Sequence, residues 1–135
     1  MIFKQLFDTV SSTYTYLLAC EATGQAILID PVLPEWERDL AEINKRGLKL
    51  AYTVETHIHA DHISSALKLS QMTGSKIAGP ALDALPCTQV GLVDGVPLQF
   101  GSLELQAIHT PGHTNNHFAY TCQGRLFSGD ALMIE

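Results

Sequence analysis

The run Thr56-His57-Ile58-His59-Ala60-Asp61-His62 constrains this chain more than any other feature. It follows directly on Lys49-Leu50-Ala51-Tyr52-Thr53-Val54-Glu55, whose apolar and β-branched content predicts a strand over about 49–55. Three imidazoles and a carboxylate therefore sit where a strand stops, the place at which an α/β protein exposes side chains to a cleft. His57 and His59 are two apart, so an extended segment points both to one face. Neutral imidazole and carboxylate are ligands that zinc, iron and manganese accept. A single His-x-His is weak evidence. Asp61 and His62 in fixed order behind it make an accidental cluster a poor explanation.

Two later segments supply what such a site lacks. Thr110-Pro111-Gly112-His113-Thr114 places a histidine just beyond a Pro-Gly turn, and Ser128-Gly129-Asp130 places a carboxylate after Leu126-Phe127. The glycine before each lets the backbone take a tight conformation beside a ligand. Gly-Asp alone is almost no signal and Pro-Gly-His a moderate one; joined to the first cluster they are strong.

Around these segments the pattern alternates between strand and helix. Strands are expected at about 2–7, 13–19 and 26–30, in series and antiparallel, the third ending at Pro31. Trp36, Leu40 and Ile43 form an apolar stripe that predicts a helix near 35–46 closed by Gly47. A second helix is expected at 62–72, with Ile63, Ala66, Leu67 and Met72 inward and Gly74 ending it. Further strands are expected near 76–79, 97–100, 103–109, 117–122 and 125–128. With 135 residues, no repeat and no linker, this reads as one mixed α/β domain over 1–135.

Composition narrows the function classes. Apolar residues make up 46%, enough for a sizeable core. Fourteen acidic against eight basic residues leave a net charge of −6. That argues against nucleic acid or an anionic membrane as partner, since both want clustered Lys and Arg. No apolar run approaches the roughly 18 residues of a membrane span, and no signal peptide is visible at Met1-Ile2-Phe3-Lys4-Gln5. Cys20, Cys87 and Cys122 form no Cys-x-x-Cys pair, and a reducing cytoplasm suits them.

With these residues in view, the chain resembles the metallo-β-lactamase superfamily. Asp30, His57-Ile58-His59-Ala60-Asp61-His62, His113 and Asp130 match its first motifs in order and rough spacing. Within it the persulfide (sulfur) dioxygenase branch is most similar. That likeness rests on Ser12-Thr13-Tyr14-Thr15-Tyr16-Leu17-Leu18, Ile29-Asp30-Pro31-Val32, the histidine motif and Gly129-Asp130-Ala131-Leu132. The resemblance implies an αββα sandwich, two sheets face to face with helices outside. It implies that His57, His113 and Asp130 hold one Fe(II), while His59, Asp61 and His62 orient ligands or bond to bound water. It implies oxidation of glutathione persulfide to sulfite. In the related two-metal hydrolases such as glyoxalase II, His57, His59 and His113 would bind one zinc. Asp61, His62 and a final histidine would bind the other, with Asp130 bridging, for hydrolysis of a glutathione thioester. Asp30 reads as a buttress for the histidine loop rather than a ligand, or as a plain strand-ending turn residue.

The departure from the family lies at the C-terminal side. Members run on past the Gly-Asp strand into a glutathione-contacting stretch, further strands with the final histidine, and closing helices. Here no histidine follows His117, so the second metal site is incomplete while the iron triad is whole. The fold is therefore expected to be incomplete in its C-terminal half, and a metal-binding remnant without catalysis is a third reading. Leu98, Phe100, Leu103, Leu105, Ile108, Phe118, Tyr120, Leu126 and Phe127 are expected to form an exposed apolar sheet face. Such a face, or the edge of the last strand, would favour a homodimer.

Other residues read as ordinary. His109 and His117 are strand-end histidines, with a place near the metal or the substrate cleft as the alternative. Cys20 and Cys122 are small core residues, and Met72 and Met133 are packing. Cys87 has no basic neighbour in sequence to activate it.

Overall fold

The computed structural model describes residues 1–9, 13–56, 65–80, 88–109 and 118–127, together with the backbone of 132–134. Three strands open the chain: β1 (Ile2–Asp8), β2 (Thr13–Ala19) and β3 (Gln25–Ile29). They pair antiparallel, as the short alternating runs require. A 3-10 turn at Leu33–Glu35 leads into helix α1 (Trp36–Lys45), which crosses over to β4 (Lys49–Val54). Helix α2 (Ala66–Thr73) then crosses to β5 (Lys76–Pro80), and β6 (Val90–Leu92) completes the first sheet. From β3 onward the pairing is parallel, the crossovers from β3 to β4 and from β4 to β5 passing through α1 and α2. The order is β1-β2-β3-β4-β5-β6.

The second sheet is antiparallel throughout. It comprises β7 (Leu98–Phe100), β8 (Leu103–His109), β9 (Phe118–Cys122), β10 (Arg125–Phe127) and β11 (Leu132–Ile134). Its order is β11-β10-β9-β8-β7.

Alternation of side chains splits the core into two layers. Tyr16, Leu18, Ile27, Ile29 and Val54 of the first sheet face Phe100, Leu105, Phe118, Tyr120 and Phe127 of the second. On the other face, Leu17, Leu28 and Leu50 meet Ile43 of α1 and Leu69 of α2, with Trp36 and Leu40 packed alongside. This double coverage is why Tyr16-Leu17-Leu18-Ala19 in β2 and Ala26-Ile27-Leu28-Ile29 in β3 are continuous apolar runs. The architecture is helix, sheet, sheet, with both described helices outside the first sheet.

Two expectations need correction. Helix α2 is described from Ala66, residues 62–64 lying outside the described set, and it turns Ala66 and Leu69 inward. Leu67 and Met72, expected inside, are 57% and 53% exposed. A stripe through Ala66, Leu69 and Thr73 uses the i, i+3, i+7 spacing, and Leu69 rather than Leu67 sits at its centre. Met72 is accordingly not a packing residue of this core.

The expected exposed sheet face also fails. Leu98, Phe100, Leu105, Phe118, Tyr120 and Phe127 are buried between the sheets, and Leu103 packs against the same cluster. Of the nine residues named, only Ile108 is exposed. On the same outward face stand Glu104, Gln106, Ala119 and Thr121, together with Leu126, the register partner of Thr121, which is half-buried. For seven of the nine residues, the apolar face expected to favour a homodimer is therefore the inside of the sandwich.

Candidate functional site

The site begins where β3 and β4 stop side by side. The Asp30 N–H continues the ladder by donating to the Val54 carbonyl (2.8 Å), and Asp30 then turns into the left-handed region at φ 54°. Aspartate is among the few residues with a side chain that adopt this conformation readily. The turn aims its carboxylate, wholly buried, at the residue after β4. One oxygen accepts the Thr56 backbone N–H and the other accepts the Thr56 hydroxyl, both at 2.8 Å. The Asp30 carbonyl accepts the Thr15 hydroxyl at 2.9 Å, which ties the same corner to β2.

Thr56 is the last described residue before the histidine motif. Ser65, the first after it, donates its N–H to the carbonyl of Pro31 at 3.3 Å. Segment 57–64 thus leaves from Asp30 and returns to Pro31. Thr56 and Ser65, the described residues on either side of it, are both held at one corner of the first sheet.

The described residues flanking the other two segments are paired as well. His109 and Phe118 are register partners of β8 and β9, so segment 110–117 springs from a paired base. The His109 N–H donates to Asp94 (2.7 Å) and its ring lies 5.4 Å from that of Phe118. Phe127 and Leu132 are partners of β10 and β11 and close segment 128–131. All three bases meet. The Phe118 N–H donates to the Thr56 carbonyl at 2.7 Å, and the Tyr120 hydroxyl donates to the Glu55 carbonyl at 2.6 Å. Tyr120 is in turn the register partner of Phe127.

Of the residues singled out in the sequence, Asp30 is placed by the structure. His57, His59, Asp61, His62, His113 and Asp130 lie outside the described residues, as do Cys87 and His117. Cys20 and Cys122 are free thiols buried in the core. Four residues that sequence reasoning passed over act here: Thr56, Ser65, Phe118 and Tyr120. Thr56 stood beside the motif and was available. Tyr120 had no signal, since an aromatic alternating with Phe118 and Cys122 is indistinguishable from plain core.

Burial, assisted by the charges of Tyr14 and Asp30, pushes the Tyr16 hydroxyl up to about 12, so it stays protonated beside the Asp30 corner. A cavity of about 230 Å³ lined by Gln25, Lys49, Tyr52, Gly74 and Lys76 lies at the opposite end of β4 and does not reach these segments.

Residues 8–135 match the family model described as the metallo-beta-lactamase superfamily. The human protein named "Persulfide dioxygenase ETHE1, mitochondrial" is 38% identical over 99% of this chain and 54% of its own length. A Rhodospirillum rubrum protein named "Hydroxyacylglutathione hydrolase" is 38% identical over 91% of this chain and 49% of its own. The crystal structure of ETHE1 from Myxococcus xanthus superposes with a TM-score of 0.93 at 43% identity, covering 99% of this chain and 59% of that one. The chain spans about half the length of the curated relatives it matches.

Proposed function

The chain belongs to the metallo-β-lactamase superfamily, and on that premise we propose that it is a persulfide dioxygenase using one ferrous ion. The ligands are His57, His113 and Asp130, each on one of the three segments. The observation that carries this is the meeting of the three segment bases through Thr56, Phe118, Tyr120 and Phe127. It brings the roots of all three ligand-bearing segments to one end of the sandwich. The donor chemistry fits: two imidazoles and a carboxylate suit ferrous iron. Iron held this way supplies open coordination positions for substrate sulfur and dioxygen. The chain's own residues do the positioning. Asp30 holds Thr56 and with it the start of the histidine segment, while His59, Asp61 and His62 orient the ligands by hydrogen bonding. The net reaction takes glutathione persulfide, dioxygen and water to glutathione and sulfite.

Metal analysis of the purified protein, combined with oxygen uptake on glutathione persulfide, tests this. One iron per chain and uptake abolished by His57→Ala are expected. Bound zinc with no oxygen uptake overturns the dioxygenase reading.

A second reading, thioester hydrolysis, is favoured by the 38% identity to a protein named hydroxyacylglutathione hydrolase. Here His59, Asp61 and His62 become metal ligands rather than orienting groups. Turnover of S-lactoylglutathione that scales with two bound zinc ions per chain selects it. Metal binding without either activity selects the remnant.

A further inference from the structure

We infer that the cavity at the start of β4 is an anion site that takes the phosphate group of a small molecule. It lies at the other end of β4 from the segments assigned to the metal and does not depend on them. Gln25, Lys49, Tyr52 and Lys76 give the cavity its polar lining around about 230 Å³ of space, and no described acidic residue lines it. Two ammonium groups, a phenol hydroxyl and an amide therefore converge with no carboxylate beside them.

A register shift puts the four side chains on one face of the first sheet. Gln25 pairs with Lys49, and Tyr52 pairs with Lys76. Residues 49 and 52 are three apart, and strict alternation would send them to opposite faces. The register shifts between Ala26 and Ile27, which leaves Ala51 as an extra residue in β4. Leu50 and Ala26 accordingly point into the layer covered by the helices, whereas Tyr52 packs with Ile27 against the layer between the sheets. Lys49 and Gln25, one place earlier on their strands, stand on the Tyr52 side. Insertions of this kind recur next to functional sites, where they re-aim a side chain.

The donors are unspent. Gln25 accepts the Gly101 N–H on its amide oxygen at 2.9 Å, which leaves its NH2 group to donate. Among the described residues Lys49 and Lys76 make no ion pair and the Tyr52 hydroxyl makes no hydrogen bond. Arg38, Arg46, Lys68 and Arg125, by contrast, are engaged by carboxylates or aromatic rings. Lysines often offset the partial negative charge of helix C-termini, but both described helices cover the opposite face of this sheet. An anion is the partner that this lining fits. Ammonium groups are point charges rather than planar forks, so a tetrahedral phosphate suits them better than a flat carboxylate.

Titration with inorganic phosphate at constant ionic strength, followed by nitrogen-edited amide spectra, tests the site. The amides of Ala51, Tyr52 and Lys76 are expected to shift saturably as phosphate replaces chloride. Lys49→Gln and Lys76→Gln are each expected to raise the dissociation constant about three- to fivefold, the scale of a solvent-exposed charge contact. Together they are expected to abolish saturation. Both lysines are exposed, so neither change threatens the fold. Lys4→Gln makes the same charge change on β1 and is expected to leave the constant alone. Glycerol phosphate, run in parallel, identifies the source of the group. Tighter binding than inorganic phosphate marks a small phosphate ester, equal binding marks the free ion, and either result supports the site. Acetate is expected to bind more weakly than both. Four results overturn the proposal: shifts without saturation, an unchanged constant in the Lys49→Gln, Lys76→Gln double variant, equal weakening in Lys4→Gln, or acetate binding as tightly as phosphate.

Discussion

The carboxylate of Asp30 and the peptide N–H and hydroxyl of Thr56, 26 positions apart in the chain, form a buried two-point contact. Hydrogen bonds to a charged acceptor are the stronger kind, and here both oxygens are used. The left-handed turn at Asp30 is what brings them into line.

Replacing Asp30 therefore has graded consequences. Asn tolerates the left-handed backbone and offers one acceptor and one donor to the same two Thr56 groups, so Asp30→Asn is expected to destabilise by about 1–2 kcal/mol. Ala leaves the buried Thr56 N–H without this partner and adds backbone strain, so Asp30→Ala is expected to lose about 3–5 kcal/mol. Urea unfolding of both variants checks the order. Small losses in both variants would mean that the carboxylate contact contributes little.

The face of α2 gives a second test. Leu69 is fully buried against the first sheet, whereas Leu67 is 57% exposed. Leu69→Ala is expected to cost about 2–4 kcal/mol through lost burial and the cavity left behind. Leu67→Ala is expected to stay within about 0.5 kcal/mol. Thermal melts of the pair distinguish the observed face from the one centred on Leu67.

That pair also shows where sequence reasoning stops. Strands of five or more residues, such as Ile2–Asp8 and Leu103–His109, were legible because alternation repeats often enough to be counted. Val90–Leu92 and Leu132–Ile134 were not: three residues hold one period at most, the first has Gly91 at its centre, and neither abuts a turn glycine such as the Gly101 and Gly124 that mark off the equally short Leu98–Phe100 and Arg125–Phe127. For α2, Ala66 with Leu67 and Ala66 with Leu69 both fit a helical stripe, and only the packing against Leu17 and Leu28 chooses. The apolar strands of the second sheet were legible as strands, yet which of their faces meets the first sheet is a tertiary fact. At the site, the ligand residue types were legible from their clustering. The corner that holds their segments, built by Thr56, Ser65 and Tyr120 through backbone carbonyls, left no compositional trace.

Gly101 marks a third point of constraint. It sits at φ 60° in the turn joining β7 to β8, and its N–H donates to the Gln25 side chain at 2.9 Å. An added Cβ would lie 2.8 Å from the Cys20 Cβ and closer still to the Thr23 hydroxyl. Both the left-handed backbone and the lack of room oppose any side chain. Gly101→Ala is expected to destabilise by about 2–4 kcal/mol, and Thr23→Ala in the same background is expected to recover part of that by removing the closest clashing atom. Additive losses in the double variant would rule the clash out as the cause.

The last test turns on Asp39, a buried carboxylate on α1. Burial pushes its carboxyl up to about 6, against the pull of Arg38, with Glu35 and Glu42 adding to the rise. Arg38 holds one Asp39 oxygen at 3.0 Å and anchors itself on the Phe7 carbonyl at 2.7 Å. The other Asp39 oxygen is buried and finds no hydrogen-bond partner among the described residues. Because the folded value lies above the unfolded value of 3.8, the folded state binds the proton more tightly. Its contribution therefore raises stability as pH falls through about 6, and the gain is complete below the unfolded value. The gain amounts to roughly 2–3 kcal/mol. Other carboxylates titrate in the same range, so the difference between variants is the quantity to follow. Asp39→Asn removes the titrating group, and its unfolding free energy is expected to fall relative to the parent as pH drops from 7 to 4. A parent and variant whose pH profiles run parallel across that window would show that Asp39 titrates alike in the folded and unfolded chain.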